Sequence, residues 1–192
     1  MKTEGMRMGN VADAREILAI YRPFVEKTYV SFETVTPTLA EFEQRIENFL
    51  AFYPYLVYLV GGKIAGYSYA HRFRERAAYD WDAETTIYTA EGCRRQGVGR
   101  KLYSCLEEIL RAQQIKNLYA IVTTPNPASE GFHEAFGFTL SGVQHDAGFK
   151  FGRWYDSRLY EKIIGDHDGA PAPIIAVKDL DQSKIEEILS RY

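Results

Sequence analysis

The stretch that decides the fold is CRRQGVGRKLY, residues 93–103, in which two closely spaced glycines stand among four cationic side chains at the start of a helical pattern. Cations at a helix start oppose the positive end of the helix dipole. They are tolerated if an anion binds among them, because glycines leave backbone N–H groups uncovered and arginines add charge. The turn therefore predicts an anion site, with a solvated basic turn as the alternative.

Two common phosphate loops do not fit this turn. A Walker loop ends in Gly-Lys-Ser/Thr, but here Gly97 is followed by Val98 and Gly99 by Arg100. A dinucleotide fingerprint needs a third glycine three positions after Gly99, where the sequence has Leu102. What remains is a glycine turn after a strand that offers the start of a helix to a pyrophosphate.

Residue periodicity along the rest of the chain predicts one mixed α/β domain. Apolar residues at helical spacing predict helices, and runs of β-forming residues bounded by turns predict strands. Because strands and helices alternate after an initial hairpin, the sheet is neither purely hairpin nor purely doubly wound. The predicted order is helix (11–29), helix (36–54), hairpin (55–70), strand (83–89), helix (99–114), strand (117–124), helix (126–136) and two strands within 137–164.

The composition changes at Gly165. GDHDGAPAP, residues 165–173, is typical of a linker, and SKIEEILSRY, residues 183–192, predicts a short helix with Ser183 and Glu186 in capping-box spacing. The sequence therefore divides into a domain over 1–164 and a C-terminal linker and helix over 165–192. It leaves open whether this tail covers the site, packs at an interface or stays mobile.

Composition narrows the class of protein. Hydrophobic residues make up 46% and charged residues 26%, and the net charge of -3 gives no support to nucleic acid as a partner. No apolar run approaches a membrane span, and the first ten residues lack the apolar core of a secretory signal, so we expect a cytoplasmic protein without membrane contact. Two cysteines, Cys93 and Cys105, are too few for a disulfide framework, and neither has partners at metal-ligand spacing, so no metal is expected.

The glycine turn resembles the coenzyme A pyrophosphate loop of the GNAT acyltransferase superfamily. Asn126, His133 and Gly137-Phe138 are similar in spacing to that superfamily's second cofactor helix. The segments YPYLVYLVGGKIAGYSYA (53–70), RAAYDWDAETTIYT (76–89), HEAFGF (133–138) and AGFKFGRWYD (147–156) resemble the phosphinothricin and methionine sulfoximine N-acetyltransferases. The resemblance runs in matching order from Met6 to Ile164 and implies the GNAT fold, a mixed central sheet with splayed strands flanked by helices.

The resemblance implies that acetyl-CoA binds between the two splayed strands with its acetyl group towards a substrate amine. The strand before the turn would then contact the pantetheine through its backbone, the turn would wrap the pyrophosphate, and the next helix would face the pantetheine arm. The implied cofactor-binding residues are Ile87, Tyr88, Thr89, Arg94, Arg95, Gln96, Gly97, Val98, Gly99, Arg100, Asn126 and Ser129.

Acetyl transfer to an amine needs a group that removes a proton from the ammonium form. The resemblance makes Glu84 the candidate base, with a carboxylate paired to a nearby arginine as the alternative. His133 is the candidate acid for the departing thiolate, or else only a cofactor contact or a packed side chain. We expect direct attack in a ternary complex, because Cys93, the one plausible nucleophile, lies at the wrong end of the implied cofactor.

The resemblance also implies an amino-acid-like acceptor that carries oxyanions, which guanidinium groups suit. HRFRERAAYDW, residues 71–81, offers Arg74, which aligns best with the family's substrate arginine, together with Arg76 and Tyr79. Phe32 resembles an aromatic that walls the substrate pocket, although it could equally be core. A homodimer is implied as well. The alternatives are a GNAT enzyme for another amine, in a protein or an antibiotic, and a non-catalytic acyl-CoA sensor.

Overall fold

The computed structural model describes residues 3–93 and 96–192, so Arg94 and Arg95 of the predicted pyrophosphate turn lie outside the described residues. The chain forms a seven-stranded sheet with helices on both faces. The strands are β1 (Gly5–Met8), β2 (Tyr55–Val60), β3 (Lys63–Arg72), β4 (Asp82–Thr89), β5 (Asn117–Thr124), β6 (Thr139–Lys150) and β7 (Arg153–Ile163). The helices are α1 (Ala14–Lys27), α2 (Leu39–Leu50), α3 (Val98–Ala112), α4 (Pro127–Ala135) and α5 (Gln182–Ser190).

The strand order in the sheet is β1-β2-β3-β4-β5-β7-β6. Neighbouring strands are antiparallel except for β4 and β5, which are parallel because α3 connects them as a crossover. The carboxyl ends of β4 and β5 therefore lie at the same edge of the sheet, and the two segments that follow them, the glycine turn and α4, begin side by side. This mixed sheet confirms the predicted fold class.

Two apolar clusters hold the helices against the sheet. α1 and α2 pack on one face, around the inward side chains of β2 and β3, while α3 and α5 pack on the other. In α3 one face is fully buried against the sheet, because Leu102, Leu106, Ile109 and Leu110 are each at most 1% exposed. This packing fixes the start of α3 relative to the end of β4, where the candidate site lies.

All the helices and strands predicted in the sequence are present, but the sheet has one strand more. β1 was not predicted, because a four-residue segment with one buried apolar side chain, Met6, gives too short a pattern to identify. Asn10 and Asn126 act as caps, since each side chain accepts a backbone N–H of the turn that follows it. The cap predicted for the last helix is wrong: Asp181 accepts the N–H of Ser183 and so begins α5 two residues earlier.

The C-terminal tail packs onto the same core as the rest of the chain. Val177, Ile185 and Ile188 are at most 5% exposed and belong to the cluster around α3. Polar contacts fix the segment before α5, because the Gln113 side-chain amide donates to the carbonyls of Phe52, at 2.8 Å, and Ile175, at 2.7 Å. The structure therefore shows a tail docked on its own domain, on the face of the sheet that carries α3. Among the helices of the described residues, none is long and apolar enough to cross a membrane.

Candidate active site

The central feature of the site is a gap between β4 and β5. Within these two fully described strands, pairing is limited to three positions, of which the last joins Glu84 to Tyr119. Beyond it, β4 stays paired with β3 as far as Thr89, and β5 stays paired with β7 as far as Thr124. The facing backbone edges of residues 85–89 and 120–124 are thus free to hydrogen-bond a ligand that enters the gap.

The predicted pantetheine contacts lie along this free edge of β4. The side chains of Ile87 and Tyr88 point to opposite faces: Ile87 packs towards α3, and Tyr88 packs against Tyr21 and Phe24 of α1. Because both side chains are used in packing, these two residues present their backbone to the gap, and the pantetheine contacts of Ile87, Tyr88 and Thr89 stay a prediction.

The glycine turn closes the gap at the start of α3. Gly97 has φ +80°, the left-handed region that favours glycine, and it precedes the first helical residue, Val98, which is buried. The first turn of α3 contains no acidic residue, and Gly97 has no side chain with which to cap it. Backbone N–H groups are therefore exposed at the positive end of a fifteen-residue helix, which is the arrangement that binds a phosphate.

The described side chains next to the turn, those of Gln96 and Arg100, point away from this helix start or lie on a neighbouring ring. The Gln96 amide donates back to the Gly92 carbonyl at 2.9 Å, and the exposed guanidinium of Arg100 lies over the Phe136 ring. At Gly99 an added Cβ would lie 3.4 Å from the Phe132 ring and 3.5 Å from Ile87, so α3 packs here against α4 and β4. The described part of the turn is therefore held between β4 and the helices α3 and α4.

α4 begins on the other side of the gap. Asn126 caps it through its side-chain oxygen, which accepts the N–H of Ser129 at 3.3 Å, and Pro127 occupies the first turn. Glu130 binds the same end of the helix, because it accepts the N–H of Asn126 and pairs with Arg158 of β7. Asn126 and Ser129 are both half-buried at this helix start, and the amide of Asn126 is committed to the cap.

Glu84 lies at the apex of the gap, on the face covered by α1 and α2. Its carboxylate is 20% exposed, and its Oε1 lies 3.7 Å from Nε2 of His71. Burial raises the pKa of the Glu84 carboxyl, while His71 acts in the opposite direction. Among the described residues the ionic contact of Glu84 is thus with a histidine rather than an arginine. A half-buried carboxyl with a raised pKa suits a general base.

His133 lies in the core beneath the gap. It is 4% exposed, and both ring nitrogens have protein partners: Nδ1 lies 2.8 Å from the Ser129 carbonyl and Nε2 lies 3.1 Å from the Tyr103 hydroxyl. The chain continues to Thr85, whose hydroxyl lies 2.5 Å from that of Tyr103 and 3.1 Å from the carbonyl of Tyr119. Burial lowers the pKa of His133. This environment favours the packed role over the acid role among those predicted for His133.

The arginine loop lies between β3 and β4. Arg74 is exposed and lies about equally far from the rings of Phe73 and Tyr79, at 5.0 and 4.9 Å, and it donates to the Tyr79 hydroxyl at 3.1 Å. Phe73 in turn stacks on Tyr119, which is the residue of β5 that pairs with Glu84. Arg74 and Tyr79 are thus brought together near the apex, whereas Arg76 is exposed at the start of a short turn and contributes its backbone carbonyl.

Phe32 lies in the segment between α1 and α2, which folds over the far half of the sheet. The Tyr29 hydroxyl donates to the carbonyl of Pro125, and the ammonium of Lys150 donates to the carbonyl of Ser31 at 2.7 Å. Phe32 is 37% exposed and packs on Gly148, where an added Cβ would lie 2.6 Å from its ring. The Phe32 side chain is therefore partly exposed and is not a core residue.

Sequence reasoning missed several polar groups of this site. His71 is the first residue of the loop segment 71–81 and belongs to no motif that marks it. Thr85 and Tyr103 gave no signal because they fit a strand and an apolar helix face. Cys93 is half-buried before the turn, and Cys105 is fully buried. Within the described residues there is no group of histidine, cysteine and carboxylate side chains that could hold a metal ion.

Comparison with known proteins gives the class. Residues 6–159 match the acetyltransferase (GNAT) domain family, so the chain belongs to the GNAT acetyltransferases. It is 34% identical over 177 residues to the phosphinothricin N-acetyltransferase of Streptomyces viridochromogenes, covering 92% of this chain and 94% of that protein.

Two further relatives point to the same branch. The chain is 33% identical to the L-methionine sulfoximine/L-methionine sulfone acetyltransferase of Pseudomonas aeruginosa over 171 residues, 86% of this chain and 98% of that one. A crystal structure of a phosphinothricin acetyltransferase from Sinorhizobium meliloti in complex with AcCoA superimposes with a TM-score of 0.85 at 32% identity, covering 93% of this chain and 98% of that chain. The predicted family is confirmed, and the chain is an N-acetyltransferase related to these enzymes.

Proposed function

We propose that this acetyltransferase moves an acetyl group from acetyl-CoA to the α-amine of a small amino-acid-like substrate of the phosphinothricin or methionine sulfoximine type. The observation that carries the proposal is the gap between β4 and β5, with Glu84 at its apex and the uncapped start of α3 at its mouth. The relatives named above support the substrate class.

The residues present fit acetyl-CoA. A linear pantetheine arm with amide groups matches the free backbone edges of 85–89 and 120–124, and a pyrophosphate matches the N–H groups after Gly97. Gln96, Val98, Gly99 and Arg100 complete the described part of the turn. Asn126 and Ser129 flank the arm from the start of α4.

The proposed chemistry is direct attack in a ternary complex. Glu84 accepts a proton from the substrate ammonium, directly or through a water, and the neutral amine then attacks the thioester carbonyl. The second amine proton ends on the departing thiol, so that one proton is released to solvent per turnover. His133 has no free ring nitrogen for this second transfer, because Ser129 and Tyr103 occupy both.

The acceptor is proposed to bind between Phe32 and the arginine loop. Arg74 offers a planar guanidinium for a carboxylate or phosphinate oxygen, with Tyr79 orienting it and Arg76 nearby in the chain. The Phe32 wall closes the other side. The expectations of a homodimer and of a cytoplasmic location also remain proposals, and size-exclusion chromatography with light scattering tests the first.

The test is thiol release from acetyl-CoA over a panel of acceptors. The panel holds methionine sulfoximine, phosphinothricin, ordinary amino acids, spermidine and a peptide. Glu84→Gln runs in parallel with Glu186→Gln, which makes the same change at an exposed site on α5. We expect turnover of the first two acceptors, loss of it with Glu84→Gln, and full activity with Glu186→Gln. Turnover confined to the peptide or spermidine contradicts the proposed acceptor, and acetyl-CoA binding without any thiol release favours a sensor.

A further inference from the structure

The cross-strand partner of Glu84 is a second titratable side chain. β3 and β4 pair so that His71 stands directly opposite Glu84, and both side chains point to the face covered by α1 and α2. The imidazole stacks on Phe49 of α2, with ring centroids 5.3 Å apart. Its exposed fraction is 27%, close to the 20% of the carboxylate. The two groups are thus fixed side by side at the wall of the gap.

The hydrogen bond on the far side of the ring determines which nitrogen faces Glu84 and in which form. Nδ1 of His71 lies 3.0 Å from the carbonyl oxygen of Arg72, which can only accept. Nδ1 therefore carries a hydrogen. In the neutral ring Nε2 then carries a lone pair, which points towards the Glu84 carboxylate. A lone pair and a carboxylate oxygen 3.7 Å apart attract each other only when a proton lies on one of them.

We propose that His71 is the proton-holding partner of Glu84: it takes the proton that Glu84 removes from the substrate ammonium and so restores the carboxylate. This inference rests on the proposed function, because it gives Glu84 the role of base. It adds a residue that acts through Glu84 and positions the proton, without touching the substrate.

The proton balance closes as follows. Before attack Glu84 is ionised and His71 is neutral. The substrate ammonium gives one proton to a Glu84 oxygen, and the O–H bond that forms breaks again as Nε2 of His71 takes that proton. The result is an imidazolium beside a carboxylate, and the opposite charges attract each other. The distance of 3.7 Å must shorten by some tenths of an ångström or be bridged by water, as is common for catalytic contacts without ligand. His71 then loses its proton to solvent.

The other titratable groups packed around the pair are buried or half-buried tyrosines and an ion pair. On β3, Tyr69 stays neutral because burial raises its pKa to about 12. Burial also raises the pKa of Tyr21 on α1, Tyr119 on β5 and Tyr103 on α3. Arg45 on α2 forms an ion pair with Glu33 at 2.6 Å. The Glu84 carboxylate and the His71 imidazole are therefore the two neighbouring groups here that can exchange a proton.

The experiment compares the pH dependence of kcat/KM for the wild type, His71→Gln and the matched control His167→Gln, which changes an exposed histidine of the tail. In the wild type the acidic limb reports the last proton of the coupled pair. With His71→Gln we expect that limb to move to lower pH, because a single carboxyl then titrates in place of the pair, and the plateau to fall on the order of tenfold. His167→Gln should leave both unchanged. A limb at the same pH in His71→Gln overturns the role of His71.

A second measurement does not depend on turnover. Long-range 15N–1H spectra should show the Nδ1–H form of His71, and Glu84→Gln should lower the midpoint of its titration by removing the carboxylate that favours the imidazolium. An unchanged midpoint overturns the pairing even in an active enzyme. If the midpoint shifts but the wild type acetylates no amine, the proposed function fails and takes the proton-holding role with it.

Discussion

The hydrogen-bonded chain Thr85–Tyr103–His133 gives a prediction whose magnitude can be worked out. Thr85 is the first residue of β4 beyond its last pair with β5, and Tyr103 and His133 belong to the two helices that flank the gap. All three side chains are at most 4% exposed. The chain therefore joins the diverging strand to both helices in a region where water cannot replace a lost partner.

Single substitutions should each leave a buried polar atom without its partner. Tyr103→Phe removes the hydroxyl between Thr85 and His133, and Thr85→Val removes the hydroxyl next to Tyr103 with little change of shape. Because an unpaired buried group costs about 1–3 kcal/mol, we expect each variant to lower the free energy of unfolding by that amount. In a chain of 192 residues this corresponds to a fall in Tm of about 2–4 °C per kcal/mol.

The double variant distinguishes a chain from two separate packing defects. If the two hydroxyls bind each other, the cost of Thr85→Val with Tyr103→Phe should be smaller than the sum of the single costs by about 1 kcal/mol. The assay is urea unfolding, with an unchanged m-value as the condition for comparison. Tyr55→Phe, at a buried tyrosine whose hydroxyl has no hydrogen bond among the described residues, is the control and should cost less than about 0.5 kcal/mol. Additivity of the single costs within about 0.3 kcal/mol refutes the chain.

Further predictions concern the acceptor wall, the cysteines and the tail. Gly148→Ala puts a Cβ 2.6 Å from the Phe32 ring, so the ring should shift. The KM for the acceptor should then change at least twofold, while the KM for acetyl-CoA stays the same. Equal changes in both KM values contradict a role of Phe32 in the acceptor pocket. A thiol reagent should label half-buried Cys93 but not Cys105, because burial raises the pKa of Cys105 to about 12. Cys93→Ser should keep turnover. A trapped acetyl-cysteine argues against direct attack. Ile185→Ala should destabilise by about 2–5 kcal/mol in urea unfolding, and a cost below about 1 kcal/mol would show that the tail is not docked.

The parts of the structure that sequence predicted are those set by local pattern. The inner face of α3 follows from its 3.6-residue period, and the sharp turn at Gly97 follows from the freedom of glycine to adopt a positive φ. The Asp181 cap was missed by two residues, because Ser183 and Asp181 are both good caps and the choice depends on where the tail docks.

The contacts that sequence could not predict depend on register across long connections. His71 meets Glu84 because nine residues of loop between β3 and β4 return the chain in one register, and a shift of one residue would turn one of them to the other face. Tyr103 fits an apolar helix stripe, so its hydroxyl gave no hint of partners on β4 and α4. The family resemblance supplied Glu84, but it did not supply these partners.

The lowered pKa of His133 predicts a pH dependence of stability with a definite sign. Burial of the ring disfavours its charged form, so the folded state takes up the proton only at a lower pH than the unfolded chain, whose histidines titrate near about 6.5. Above that pH the ring is neutral in both states and its contribution is complete. Between the two pKa values the unfolded state binds more protons, so stability must fall as the pH falls, by at most about 1.4 kcal/mol per pH unit.

The difference between the wild type and His133→Asn isolates this effect. Asparagine keeps an N–H that can donate to the Ser129 carbonyl but cannot titrate. Glu84, whose pKa is raised, contributes with the opposite sign, and subtraction cancels it because it is present in both proteins. We expect the difference in the free energy of unfolding to shrink as the pH is lowered from about 7.5 to about 5.5. A flat difference would mean that His133 binds its proton equally well in the folded and unfolded states, and a histidine that can be charged in the folded state would again be available as the acid for the departing thiol.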